Sequence, residues 1–293
     1  MTRNPLAFFL IAASLSVAGC ATSSTQAATS DLVPGASSIA GSAATARQAQ
    51  TAPKPASTSA ARPRTDSAPA NQMPMYGGQA LTDKQKQAND AFIQKAESFK
   101  GGRKAAFETT LKLGWAYLYE KRDPVTAMKR FNQAWLLDPE HDEVYFAFGF
   151  MASMRGNVEE AIQFYKRCLA INPNHPIALA NLARSYKDQA YQIYAQKQSA
   201  LPNQDVKDRL IGSLALYEKA SRVAGSDGNL RLTTPEEDLS YIYYQWAVAL
   251  EFSGKYAEAW EKIKLTRQHG GARLIEPGFI QELSGFMPEP PDA

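Results

Sequence analysis

Cysteine is scarce in this 293-residue chain, and the two present, Cys20 and Cys168, lie far apart in sequence. A disulfide framework of the kind that staples small secreted domains is therefore excluded. Histidine is nearly as rare, at three residues. His141 and His175 fall in equivalent loop positions of a repeated pattern, each just after an Asp-Pro or Asn-Pro pair, and His269 stands alone. None of them shares a metal-binding spacing with a cysteine or a second histidine, so the sequence gives no metal site and no cofactor. Excess charge of one sign is also missing. The formal net charge is +3, and no concentrated basic patch argues for nucleic acid. GxSxG, phosphate-loop and zinc-peptidase motifs are absent, as is a paired acid/base constellation, so the reading is of a chain that is not an enzyme and has no catalytic residues. The acidic pairs Glu159-Glu160 and Glu236-Glu237 sit where helices begin, and the helix dipole accounts for them.

A long apolar run is lacking too. Pro5 to Val17 covers 13 residues, short of the about 20 that a spanning helix needs. It follows Arg3 and leads into the small residues Ala18 and Gly19 before Cys20, which is the layout of a secretory signal. The tetrapeptide Val17-Ala18-Gly19-Cys20 resembles the lipobox of bacterial lipoproteins. That resemblance implies removal of residues 1–19, lipidation of Cys20 (palmitate among the acyl chains) and a membrane-tethered mature chain. Ala21 follows the cysteine where inner-membrane retention favours Asp, so the resemblance implies an outer-membrane lipoprotein facing the periplasm. With Cys20 carrying lipid, Cys168 has no intramolecular partner even in an oxidising compartment.

Residues 20–80 are rich in Ala, Ser, Thr, Pro and Gln and poor in bulky apolar residues. Such a composition buries too little to offset the entropy of ordering, and it predicts a disordered tether. At about 5–6 Å times the square root of its length, it would reach tens of ångströms from the membrane. From residue 81 onward the pattern is helical, with apolar or small residues at i, i+3, i+4 and i+7.

The strongest signal is a repeat. Ala127, Phe131, Ala134 and Asp138-Pro139 recur at one constant interval as Ala161, Tyr165, Cys168 and Asn172-Pro173. This pattern resembles the tetratricopeptide repeat, a unit of two antiparallel helices with the same period. The expected fold is an all-α, helix-turn-helix solenoid. Residues 81–105 form an N-terminal capping helix, residues 106–270 the repeats, and 271–293 a short helix and tail. Unit one covers about 106–141, with one extra residue before Asp123-Pro124; unit two covers 142–175. An insertion near 190–212 lengthens both helices of unit three, to about 177–200 and 204–223, around Leu201-Pro202. Thr234-Pro235 with Glu237 opens unit four as a capped helix start. Cys168 occupies a small buried position and reads as a packing residue.

The same resemblance implies that the first helix of each unit lines a concave groove. The positions carried over are Phe146 and Phe150 in unit two, Arg184 and Lys187 in unit three, and Tyr241 and Tyr244 in unit four. They describe an aromatic groove with a few central charges, suited to a peptide or helix; packing of Phe146 and Phe150 on the neighbouring long helix is the competing reading. The carboxylate clamp of chaperone-binding members is not reproduced: Lys112 fits, but Ala116, Ala147 and Ile177 stand at its other places. The functional expectation is a non-catalytic adaptor or scaffold in cell-envelope assembly, with an unidentified protein or peptide partner. The alternative is a regulatory subunit or pilotin-like factor for a cell-wall enzyme or a secretion or pilus machine. Pilotins resemble a more regular array, from which the insertion departs.

Overall fold

The computed structural model describes residues 69–78, 80–197, 204–224 and 234–291. The signal peptide, Cys20 and most of the tether lie outside these residues. Among the described residues there are ten α-helices and no strand. They are α1 (Asp83–Glu97), α2 (Gly102–Tyr119), α3 (Pro124–Leu137), α4 (Asp142–Met154), α5 (Val158–Ile171), α6 (Pro176–Lys197), α7 (Gln204–Val223), α8 (Pro235–Phe252), α9 (Tyr256–Gln268) and α10 (Pro277–Phe286). Consecutive helices α2/α3, α4/α5, α6/α7 and α8/α9 form hairpins, and each hairpin packs on the next. The result is a solenoid of four helix pairs with α1 at one end and α10 at the other. No described helix is long and apolar enough to cross a membrane.

The helix starts follow from short-range chemistry. Asp123 accepts the backbone N–H of Thr126 at the start of α3, and Asn157, its equivalent in unit two, accepts that of Glu160 at the start of α5. Thr234 and Glu237 form a reciprocal capping box at α8, and Thr82 with Gln85 does the same at α1. His141 and His175 are caps as well. Their Nδ1 atoms accept the N–H groups of Glu143 (3.3 Å) and Ala178 (3.2 Å).

Close approach within the pairs depends on missing side-chain atoms. A Cβ built on Gly114 would stand 2.4 Å from the ring of Phe131. One built on Gly149 would stand 2.6 Å from the ring of Tyr165. The step from Gly114 to Gly149 is one longer than that from Phe131 to Tyr165, because unit one carries its extra residue in the turn. That turn puts Arg122 at φ 53, in the left-handed region where unit two has Gly156 at φ 74. Around these notches runs one continuous core. Leu111, Trp115, Phe131, Tyr145, Phe148 and Tyr165 are all fully enclosed.

Two boundaries differ from the sequence reading. Unit one begins at Gly102 and not near 106, directly after the left-handed Gly101 that ends the α1 connection. Residues 69–78, expected in the tether, lie along α3. The buried Asn132 donates its Nδ2 to the carbonyls of Asn71 (3.1 Å) and Met73 (2.8 Å), and Tyr76 packs against Trp135. Average composition hides such a strap, because a few anchoring residues suffice for it. The lengthened unit three is present, with a small core of Ala190, Val206 and Leu210 in its distal part. At the far end Leu283 of α10 is buried against the last pair, Phe286 stacks on Tyr256 at 4.7 Å, and Trp260 donates to the carbonyl of Met287.

Gly114→Ala should force Phe131 out of its notch, costing roughly 1–3 kcal/mol as overpacking does. Thermal unfolding followed by circular dichroism would show it as a Tm lowered by about 2–4 °C per kcal/mol.

Candidate functional site

The six residues expected on an open groove divide into two sets. Phe146 and Phe150 are enclosed, at 4% and 3% exposure. Both rings lie against Trp115 of the preceding unit, at 5.7 and 5.5 Å, and Phe150 also meets Tyr119 at 6.0 Å. They are core residues of the unit one/unit two junction. Tyr244 is covered by the chain's own C-terminal segment: its hydroxyl accepts the N–H of Glu276 and its ring meets Phe279 at 5.8 Å. Burial, the main cause, pushes its phenol up to about 12. Tyr241 is buried too, and donates its hydroxyl to Asn181 Oδ1 at 3.2 Å.

Arg184 and Lys187 are the groove residues that keep access to solvent, and they converge on Asp188. Arg184 Nε lies 3.7 Å and Lys187 Nζ 2.9 Å from its carboxylate. Glu251, at the matching place in unit four, faces the same region. Burial first, and the Glu282 carboxylate second, push its carboxyl up to about 7, against the pull of Lys187. Behind this charged floor the Tyr217 hydroxyl is buried without a hydrogen-bond partner. The four aromatic residues expected on an open groove are therefore enclosed, and Arg184 and Lys187 are partly exposed. The reason is geometric. The rings of Phe146 and Phe150 turn toward the preceding pair, where they bury their area.

A second cluster was not legible as a motif. Asp142 in the first turn of α4, Cys168 in the last turn of α5 and His175 at the start of α6 bring one ligand atom each within 4.8 Å of one another, all buried. Their sequence intervals match no standard motif, and the sequence reading assigned the histidine to a turn and the cysteine to packing. Both assignments describe real contacts, but each residue has a further one. Glu143 joins them, its Oε1 3.5 Å from His175 Nε2. Asp142 Oδ2 accepts Asn172 Nδ2 at 2.7 Å, and its Oδ1 lies 3.0 Å from His141 Nδ1. Burial acts upward on the Asp142 carboxyl, but these two partners outweigh it and hold it at about 2. Burial, followed by the Glu143 and Asp142 carboxylates, pushes the Cys168 thiol up, so it is a poor nucleophile. Burial acts downward on His175, but the Glu143 and Asp142 carboxylates raise it on balance.

A cleft of about 420 Å³ opens between α5 and the long hairpin, lined by Glu159, Lys166, Tyr186, Asp205, Asp208 and Arg209 among others. Arg209 donates to Gln189 across its wall.

No protein-family profile matches the chain, and no curated protein matches it. Among the solved structures similar to it are two described as crystal structures of MamA. One is 21% identical, with 64% of this chain and 86% of that chain covered at a TM-score of 0.39. The other is 19% identical, with 67% and 97% covered at the same TM-score.

The folded Glu251 carboxyl holds its proton more tightly than a free one, so stability falls as pH rises from about 4.5 toward about 7. Glu251→Gln should remove that loss. Urea titrations should show the variant more stable than the parent by on the order of 1 kcal/mol at pH 8, after allowance for screening at a part-exposed site, and no more stable at pH 4.

Proposed function

We propose that this chain is a non-catalytic protein-interaction adaptor or scaffold. It is held at the outer membrane by lipid on Cys20, faces the periplasm and serves cell-envelope assembly. The observation that carries the interaction reading is the solenoid itself. Four stacked helix pairs offer an extended face, and on it Arg184, Lys187, Asp188 and Glu251 gather, each partly exposed. Charged groups so placed favour selectivity and association rate for a partner of mixed charge. The aromatic residues first expected to anchor it hold neighbouring units together instead, which makes the face rigid. Stiff, preorganised surfaces lose little entropy on binding.

The membrane context rests on the lipobox-like tetrapeptide and the small polar residues after it. A second reading is docking as a regulatory subunit on a cell-wall enzyme, for which the lengthened hairpin offers a surface; the same hairpin counts against the pilotin-like alternative for a secretion or pilus machine. Tyr191 and Ile211 of the hairpin stand 59% and 65% exposed.

Two measurements on the full-length protein test the proposal. Metabolic labelling with a palmitate analogue should mark the wild type and not Cys20→Ala, which should leave the membrane fraction; equal labelling of both would refute the anchor. A photo-crosslinking residue at Lys187 should capture a discrete envelope protein, and Glu251→Lys should weaken that capture. Capture only from Tyr191 or Ile211 would move the site to the hairpin and favour the second reading.

A further inference from the structure

The junctions between successive units can be compared residue by residue. Where unit one meets unit two, His141 stacks on Phe107 with ring centroids 4.4 Å apart, and Ala134 holds the nearby position on the second helix. Where unit two meets unit three, the repeat puts His175 in the place of His141 and Cys168 in the place of Ala134. The equivalent of Phe107 is Asp142, one position later than the bare period gives because of the extra residue in unit one. At these two neighbouring places the first junction thus has an aromatic ring and a methyl group, and the next has a carboxylate and a thiol. Packing alone does not call for that exchange, since the first junction is well filled without it.

Three more observations converge on this place. His175 is 4% exposed, and its Nε2 is buried with no hydrogen-bond partner. The ring is fixed from its other side, where Nδ1 accepts the Ala178 N–H at 3.2 Å. The carboxylates of Asp142 and Glu143 are both buried, at 7% and 4% exposure, so negative charge accumulates away from water. Asp142 is also held in orientation by the Asn172 amide, as ligating carboxylates are.

We infer that Asp142, Cys168 and His175 form a buried site for a thiophilic divalent cation of the Zn²⁺ class. A thiolate, an imidazole and a carboxylate are the donor set that such an ion selects. Tetrahedral coordination with bonds of about 2.0–2.3 Å places ligand atoms roughly 3.3–3.8 Å apart. The present separations are all within 4.8 Å, so no pair has to close by more than about 1–1.5 Å. Glu143, with Oε1 3.5 Å from His175 Nε2, stands beside the place of the fourth donor.

The binding step balances simply. In the metal-free form Nδ1 accepts the Ala178 N–H, so the neutral ring carries its proton on Nε2. On binding, the Cys168 S–H bond breaks, sulfur binds the ion and one proton leaves to solvent. The imidazole stays neutral, its proton passing from Nε2 to Nδ1 as Nε2 binds the ion. Loading therefore replaces the Ala178 cap by a metal bond and should loosen the first turn of α6.

The test uses the full-length protein in detergent, stripped with a chelator, dialysed and titrated with Co²⁺ and Zn²⁺. Wild type should bind about one equivalent tightly. It should show a thiolate-to-Co(II) charge-transfer band in the near ultraviolet, together with visible bands of tetrahedral Co(II). Cys168→Ala introduces the residue that unit one already carries there and should fold normally. His175→Asn keeps an acceptor for the Ala178 N–H but lacks Nε2. Both should lose the band, and their affinity should fall by more than the roughly 10–100-fold that loss of a ligand's hydrogen-bonding support costs. Circular dichroism should be unchanged in the metal-free state. A wild type that gives no thiolate band, or Zn²⁺ binding equally tight in Cys168→Ala and His175→Asn, would overturn the inference. The wild-type spectrum decides even if a variant fails to fold.

Discussion

The fold depends on a ring seated in a notch where no Cβ stands. Phe131 over Gly114 and Tyr165 over Gly149 set how closely the two helices of a pair approach. That distance fixes where the outer faces of each pair lie, and hence how one pair meets the next. Unit four reaches the same end with a different pair of residues. Ala247 takes the notch position and Ile263 the filling position, both fully buried. A smaller filler permits a larger floor, as expected when total volume is what packing conserves. The Trp115, Phe146 and Phe150 lattice rests on these pairs and locks unit one to unit two.

With the aromatics committed to the junctions, the exposed part of the first-helix face is left to long charged side chains around Asp188. The cleft beside the long hairpin adds a mixed-charge surface. Where the array ends, α10 takes the place of a further unit. It covers Tyr244 and Leu250 with Leu283, and Arg267 pairs with Glu289 at 2.7 Å to hold the tail. Solenoids need such closing elements, because a terminal pair would otherwise expose its apolar side.

Much of this was legible in the sequence, because a repeat reports equivalent positions. The spacing of Ala127, Phe131 and Pro139 with Ala161, Tyr165 and Pro173 located the helices. The capping residues Thr234 and Glu237 located a helix start, and the insertion around Leu201-Pro202 announced the long hairpin. What the period does not report is how neighbouring units close on each other. Phe146 and Phe150 occupy groove positions by register, yet their surroundings are set by Trp115 and Tyr119 from the preceding unit. The Asp142, Cys168 and His175 cluster was hidden for the same reason, being assembled from α4, α5 and the turn before α6 across one junction. The strap at 69–78 escaped because Asn132 and Trp135 hold it through a few specific contacts that average composition does not register.

The ring-in-notch account is tested most directly by a double-mutant cycle at Gly149 and Tyr165, read by urea unfolding with circular dichroism. Gly149→Ala and Tyr165→Ile each destabilise the protein alone, one by crowding and the other by a lost ring and its hydroxyl contact with Ser153. The combined variant recreates the Ala/Ile pair of unit four, so the account predicts that it is more stable than the sum of the single losses by at least about 1 kcal/mol. Strict additivity of the two losses would contradict it, because ring and notch would then not be packing against each other.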